Sequence, residues 1–396
     1  MYYLFFITSL ILFSCGEATE PMNSGESPPR PLELFSRPKG FPEMVLPDEN
    51  PNTIEKWELG KFLFYDTRLS DGDNISCGSC HIQSKGFADP NPQSEGTAGE
   101  FTPRNAMGLS NVAYNSNYTW AQPNLLSLEQ QLPIPIFGET PLELGVSDQA
   151  KIVSRLEKEP YYVTQFALAF PDVNERQIRF QHIIFAISTF VRSLISAQSP
   201  YDRFTFHGEK SAMSASQIRG GKLFFSEALE CHHCHGGFNF SASLDHQGKV
   251  IQEHPFHNTG QFNLDSSGQN GDYPALNQGI FLFTGIEEDK GKFRAPSLRN
   301  IAQSAPYMHD GGVKSLEAVI RNYERGGRLT ASGPDKGDGA KNPFKSDLVD
   351  GFTITDAERE DLIAFLESLS DPGFLEDPRF SDPFENAKDG QSPFPK

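Results

Sequence analysis

The pattern of apolar and polar positions along the chain is mainly helical. Between residues 174 and 198 a single face collects Ile178, His182, Ile183, Phe185, Ile187, Phe190, Val191 and Leu194. This spacing predicts one long amphipathic helix. Thr355-Asp356-Ala357-Glu358 has the form of a capping box and opens a second helix through Leu362, Phe365, Leu366 and Leu369. Alternating strand patterns are sparse and short. Residues 326–350, rich in Gly, Asp and Lys, are expected to be loop. The pattern therefore gives a mostly α fold with long loops. Ser199-Pro200 ends the long helix and polar residues follow, so a domain boundary is expected near residues 200–213. Residues 371–396 hold Asp, Pro, Ser and Phe without a helical period, and form a tail that is either disordered or packed across the domains.

The chain opens on a different pattern. Met1 to Ser14 are almost wholly apolar and lead into Cys15. That run is too short to span a membrane and suits a signal peptide. Leu12-Phe13-Ser14-Cys15 resembles a bacterial lipobox, which would leave the protein periplasmic and lipid-anchored at Cys15. Two features speak for the alternative, a cleaved secretory signal with an incidental cysteine and a soluble periplasmic product: no Lys or Arg precedes the apolar run, and Phe13 is unusual there. Residues 15–33, with Ser, Gly, Pro and Glu, are expected to be a flexible tether.

An internal repeat divides the remainder. Gly60-Lys61-Phe62-Leu63-Phe64 and Gly221-Lys222-Leu223-Phe224-Phe225 each precede a Cys-x-x-Cys-His string. Two related domains, residues 34–205 and 206–370, are the economical explanation.

Charge and cysteines narrow the chemistry. The net charge of −18 excludes a basic nucleic-acid-binding face and would favour a basic protein partner. After Cys15, the four remaining cysteines all lie in Cys77-Gly78-Ser79-Cys80-His81 and Cys231-His232-His233-Cys234-His235. Two thiols one helical turn apart reach two vinyl groups of one porphyrin, and the histidine that follows lies under the iron. Zinc ribbons space their cysteine pairs by about 15–20 residues, and these pairs lie far further apart. A redox-active Cys-x-x-Cys would need a thioredoxin-like βαβ context, which is missing. The strings therefore imply two covalently attached c-type hemes, held by Cys77 and Cys80 and by Cys231 and Cys234, with His81 and His235 as axial ligands.

With both sites in hand, the chain resembles the bacterial diheme cytochrome c peroxidase and MauG family over roughly residues 55–370. The likeness is carried by Leu59-Gly60-Lys61-Phe62-Leu63-Phe64-Tyr65-Asp66-Thr67-Arg68-Leu69-Ser70, Pro103-Arg104-Asn105-Ala106 and Phe256-His257-Asn258-Thr259-Gly260. Arg294-Ala295-Pro296-Ser297-Leu298-Arg299-Asn300 and Ala305-Pro306-Tyr307-Met308-His309-Asp310-Gly311 complete it. The resemblance implies two cytochrome c-like heme domains with a calcium ion between them.

It also implies unequal roles. Peroxidases of the family close the first heme with a second histidine, but here that region is Gln93-Ser94-Glu95-Gly96-Thr97-Ala98-Gly99 and no histidine occurs between His81 and His182. The first heme is therefore expected to be open to peroxide. Met107 is the alternative ligand, although a methionine in an apolar stretch is more often core. The resemblance supplies Glu143 as acid/base, Gln131 (or Gln130) as its companion, and Trp120 as a relay between the hemes. Over the second heme, Tyr323 of Tyr323-Glu324-Arg325-Gly326-Gly327 takes the position that MauG-like members fill with tyrosine, with Met308 as the alternative. His309 is expected to face a heme propionate, and Asn105 with the carbonyls of Ser304 and Pro306 to hold calcium. His232 and His233 are expected to face outward.

The expected function is a peroxide-using oxidoreductase of the MauG-like kind, oxidising a small electron-transfer protein or a protein or organic substrate. A cytochrome c peroxidase with a cytochrome or copper-protein donor is the first alternative, and a non-catalytic electron-transfer cytochrome the second.

Overall fold

The structure is a computed structural model that describes residues 34–138, 142–171, 178–249, 256–264, 270–385 and 394. The apolar leader, Cys15 and the tether lie outside the described residues. The fold is mostly helical, with strand pairing confined to short ladders. Phe256–Asn258 pairs antiparallel with Lys292–Arg294, and Leu329–Thr330 with Gly337–Asp338. The second ladder lies inside the segment expected to be loop, where two residues on each side pair across the Gly- and Lys-rich connection.

The same arrangement of helices appears twice. Ile54–Tyr65 is capped by Thr53, whose side chain accepts from Lys56 N, and it packs along Phe180–Arg192. Ala215–Phe224 opens on a Ser214/Gln217 capping box and packs along Asp356–Glu367, whose Thr355/Glu358 box forms as expected. A glycine lets each pair approach closely. A Cβ on Gly60 would stand 1.9 Å from Ala186 O, and one on Gly220 would stand 1.8 Å from Asp361 O. Phe64 and Phe224, four residues further along, are both buried. The structural repeat therefore matches Gly60 to Gly220, one residue earlier than the matched strings suggest. A Cβ on Gly221 would instead stand 3.1 Å from the ring of Phe365, clear of backbone.

The long helix ends earlier than its apolar period. Ser193 caps Phe180–Arg192 and its hydroxyl donates to Phe190 O at 2.7 Å. Ala197 N and Gln198 N then donate to Asp371 Oδ2 at 3.0 and 2.9 Å, so this segment is held extended by the C-terminal tail. Residues 174–177 of the expected helix lie outside the described residues. The tail itself is packed as far as it is described. Asp371 caps a one-turn helix, Pro372–Leu375, and Phe374 and Phe380 are buried among Phe87, Phe190 and their neighbours.

The two main apolar clusters lie around Leu59, Leu63, Ile183 and Phe190 and around Phe224, Phe240, Ile320 and Phe365. Polar ties join them. Arg299 Nη1 meets Asp202 Oδ2 at 2.5 Å with both side chains fully buried, a pair whose partners cannot be removed singly without leaving a bare buried charge. Asn111 Nδ2 donates to Asn239 Oδ1, and Asn300 Nδ2 to Ser110 and Ser196.

Candidate active site

Each Cys-x-x-Cys string forms a single helical turn, Cys77–Cys80 and Cys231–Cys234, with the histidine at its C-cap. His81 Nδ1 lies 2.7 Å from Phe87 O, and His235 Nδ1 lies 3.2 Å from Phe240 O and 3.1 Å from Pro296 O. A carbonyl can only accept, so Nδ1 carries the proton in both rings and Nε2 is left with its lone pair for a metal. Phe87 and Phe240 reach these positions with φ of 62° and 51°, a left-handed conformation that turns their carbonyls back onto the rings. Burial lowers both imidazole pKa values, that of His235 to about 4, which favours the neutral ring a metal requires. None of the four cysteines is in a disulfide. Burial holds the thiols protonated, Cys77 and Cys231 pushed up to about 12 and Cys80 and Cys234 to about 11. Free thiol pairs beside a histidine with a bare Nε2 fit covalent heme on both sides.

The surroundings of the two motifs differ. Glu143 is half-buried, and its carboxyl is near enough to act electrostatically on Cys77 and Cys80. Burial raises its pKa above the ordinary carboxylate value. The backbone fixes this position from several directions. Thr97 N donates to Glu143 O at 2.9 Å, Leu144 N to Pro135 O at 2.9 Å, and Asp71 N to Leu144 O at 2.8 Å. A Cβ on Gly96 would stand 1.8 Å from Leu142 O. The segment in which peroxidases of the resembled family carry a closing histidine is therefore packed directly on the Glu143 loop. Pro141 of that loop lies outside the described residues. Gln131 ends the turn Leu128–Gln131 and is half-buried, whereas Gln130 is exposed and its Oε1 accepts from Leu126 N. The geometry thus leaves Gln131 the freer of the two.

The second motif borders a large cavity lined by Cys231, Cys234, His235, Tyr323, Met308, Arg294, His309 and Trp120. Tyr323 comes from the helix Leu316–Glu324. Burial, with Cys234 and Cys231 close by, raises its phenol pKa well above the usual value. Met308 adopts a φ of 69° in the same wall. Met107 lines the cavity too, and its sulfur accepts from Arg294 Nη2 at 3.3 Å, so its side chain is engaged at the second cavity.

Two groups in that wall point to an anionic occupant. Arg294 is fully buried and pulled down to about 10 by desolvation, and its Nη1 has no protein partner. His309 stacks on Phe293 at 3.6 Å, is pulled down to about 3 by burial, and leaves Nε2 without a protein partner. Buried polar atoms are normally satisfied, and a heme propionate would satisfy both. Arg294 belongs to a string that carries the resemblance, but its burial is not legible there, since an arginine between Phe293 and Ala295 is otherwise unremarkable in sequence.

Trp120 donates its indole N–H to Asn105 O at 2.8 Å and meets His309 edge-on with centroids 6.4 Å apart. Asn105 Nδ2 donates to Asn91 O at 2.7 Å, which turns Oδ1 to the other side. Asn105, Ser304 and Pro306, the residues expected to hold calcium, all line the same cavity. Trp57, on the Ile54–Tyr65 helix, donates to Ser193 Oγ at 2.9 Å and packs.

Comparison with known proteins follows the same lines. The family model for di-haem cytochrome c peroxidase matches residues 54–211. The chain is 34% identical over 335 residues to the methylamine utilization protein MauG of Methylorubrum extorquens, covering 85% of this chain and 83% of that one. It is 29% identical over 336 residues to the cytochrome c551 peroxidase of Pseudomonas aeruginosa, covering 84% of each. Among solved structures, the crystal structure of a MauG-like protein associated with microbial copper homeostasis superposes with a TM-score of 0.85 at 44% identity, covering 89% of this chain and 99% of that one.

Proposed function

The chain belongs to the di-haem cytochrome c peroxidase and MauG family, and from that membership we propose that its two heme sites have different tasks, the His81 site meeting peroxide and the His235 site being closed by Tyr323. The family makes it a heme peroxidase-like oxidoreductase with two c-type hemes and peroxide as oxidant. The single observation that carries the finer reading is the contrast across the two motifs: a carboxylic acid, Glu143, beside Cys77 and Cys80, and a phenol, Tyr323, beside Cys231 and Cys234.

A bound heme supplies an iron that exchanges electrons and offers peroxide a coordination position where no protein ligand fills it. The chain's own groups do the rest. Phe87 O fixes the His81 ring, Phe240 O and Pro296 O that of His235, each leaving Nε2 as the atom that would hold the heme iron. The Glu143 carboxylate would accept a proton from one oxygen of peroxide and return it to the other, and burial raises its pKa toward the range useful for both transfers. Gln131 is the adjacent hydrogen-bonding group. The Tyr323 oxygen is a hard anionic donor once deprotonated, and such a donor favours oxidised iron. Trp120, whose indole N–H donates to Asn105 O, would relay electrons between the sites. Arg294 and His309 bind propionate. Asn105, Ser304 and Pro306 hold one calcium ion.

This is the MauG-like reading: two heme domains, residues 34–205 and 206–370, exported and anchored at Cys15, with a small electron-transfer protein or an oxidisable protein or organic substrate as reductant. Among the described residues no helix is long and apolar enough to cross a membrane. The relative associated with copper homeostasis supports a similar setting for this chain. Adding one equivalent of hydrogen peroxide to the fully oxidised protein tests the reading. A prompt change in the heme spectrum, without prior reduction, is expected. Reaction only after half-reduction, with fast turnover of reduced cytochrome c, would favour the plain peroxidase instead.

A further inference from the structure

The two histidines inside the second motif take no part in the scheme above. His232 and His233 occupy consecutive positions of the Cys231–Cys234 turn, with ring centroids 4.2 Å apart. Two carboxylates converge on them. Glu227 reaches both rings, Oε1 lying 3.4 Å from His232 Nε2 and Oε2 lying 3.2 Å from His233 Nε2. Glu230 Oε2 lies 2.8 Å from His233 Nε2. Among the described residues, Glu227, His232 and His233 are the one trio of such groups whose ligand atoms all lie within 4.8 Å of one another. The first motif has no counterpart, since its intervening residues are Gly78 and Ser79.

We propose that Glu227, His232 and His233, with Glu230 beside His233, form a surface binding site for one divalent transition-metal ion, copper(II) in preference to zinc(II). Metal–nitrogen and metal–oxygen bonds of about 2.0–2.2 Å place neighbouring ligand atoms roughly 2.8–3.6 Å apart in tetrahedral or square arrangements. The two separations between Glu227 and the imidazoles, 3.2 and 3.4 Å, fall in that interval, and one ligand atom from each of the three residues lies within 4.8 Å of the others. Two imidazole nitrogens with carboxylate oxygens suit copper or zinc, whereas calcium and magnesium take oxygen ligands, and at such a site copper(II) binds ahead of zinc(II). Ordinary imidazole–carboxylate hydrogen bonding is the competing account of these distances. It gives little reason for Glu227, whose side chain is 79% exposed, to bridge two rings, because exposed pairs of this kind contribute little. A shared ion gives that reason. The two histidines are also held in place by the motif cysteines on either side, so the site needs no large rearrangement to bind.

The test uses the full protein with both hemes attached, titrated with copper(II) chloride and separately with zinc(II) chloride, and followed by calorimetry and by the copper EPR signal. One equivalent of copper(II) with hyperfine structure from two nitrogens is expected, with zinc competing more weakly. Glu227→Gln and His233→Ala should each weaken copper binding roughly tenfold or more. The exposed Glu227→Gln change keeps the test usable if the histidine variant matures poorly, and unaltered heme absorbance confirms maturation. Copper uptake unchanged in both variants, or no uptake below millimolar concentration, would overturn the site.

Discussion

The two halves of the molecule build their Cys-x-x-Cys-His turns alike and surround them with different groups. Gly60 and Gly220 each let the helix before the motif press against a partner, at Ala186 and Asp361. Phe87 and Phe240 each turn a carbonyl onto the motif histidine from six or five residues further on. Attachment is thus a local device that one stretch of chain can duplicate. What else stands beside the cysteines comes from elsewhere in the chain, from the Glu143 loop in one half and the Leu316–Glu324 helix in the other. Duplication preserves what is local, and the distant contribution is where two copies are free to diverge in chemistry.

Removing one attachment site is the harshest way to break the comparison. With Cys231→Ser and Cys234→Ser together, intact-mass and heme-content measurements should show one heme where the native protein has two, leaving the His81 heme in place. Loss of both would show that the halves do not load independently.

The next largest effect is expected on one side only. Glu143→Gln should slow the reaction with peroxide by about 10²- to 10⁴-fold, the usual contribution of general acid–base catalysis. Because burial raises the Glu143 pKa and the carboxylate is the form that accepts the proton, the native rate should rise with pH through an inflection above the ordinary 4.5. Stopped-flow rates from pH 4.5 to 8 should lose that inflection in the variant. An unchanged profile would remove Glu143 from the reaction.

The smallest effect tests the repeat itself. Gly60→Ala and Gly220→Ala both drive a methyl into a backbone carbonyl and should each destabilise by about 1–3 kcal/mol, the usual cost of overpacking. Gly221→Ala meets only the ring of Phe365 at 3.1 Å and should cost less. Denaturant unfolding that ranked Gly221→Ala above Gly220→Ala would restore the register suggested by the matched strings.

Much of this arrangement was legible in the residues. The attachment strings, their histidines and the helix capped by Thr355 are encoded in contiguous sequence, so spacing reveals them. The one-residue shift of the repeat was not legible, because Gly220-Gly221 offers two glycines and only the approach of Asp361 O selects between them. The early end of the long helix was hidden for a similar reason. The apolar period runs on to Leu194, but Asp371 of the distant tail takes the backbone donors of Ala197 and Gln198. Burial of Arg294 and the convergence of Glu227 and Glu230 on His232 and His233 depend on how the chain turns in three dimensions. Glu143 and Tyr323 stand between these cases, since resemblance named them and each lies near the expected pair of cysteines.

The unequal surroundings are tested most directly by a low-temperature EPR spectrum of the fully oxidised protein, recorded for the native chain and for Tyr323→Phe. The native spectrum should contain one high-spin signal, from the His81 site, and one low-spin signal, from the His235 site. The low-spin signal should be lost in the variant while the high-spin signal of the first site persists. Two low-spin signals in the native protein, or a low-spin signal untouched by Tyr323→Phe, would contradict the account.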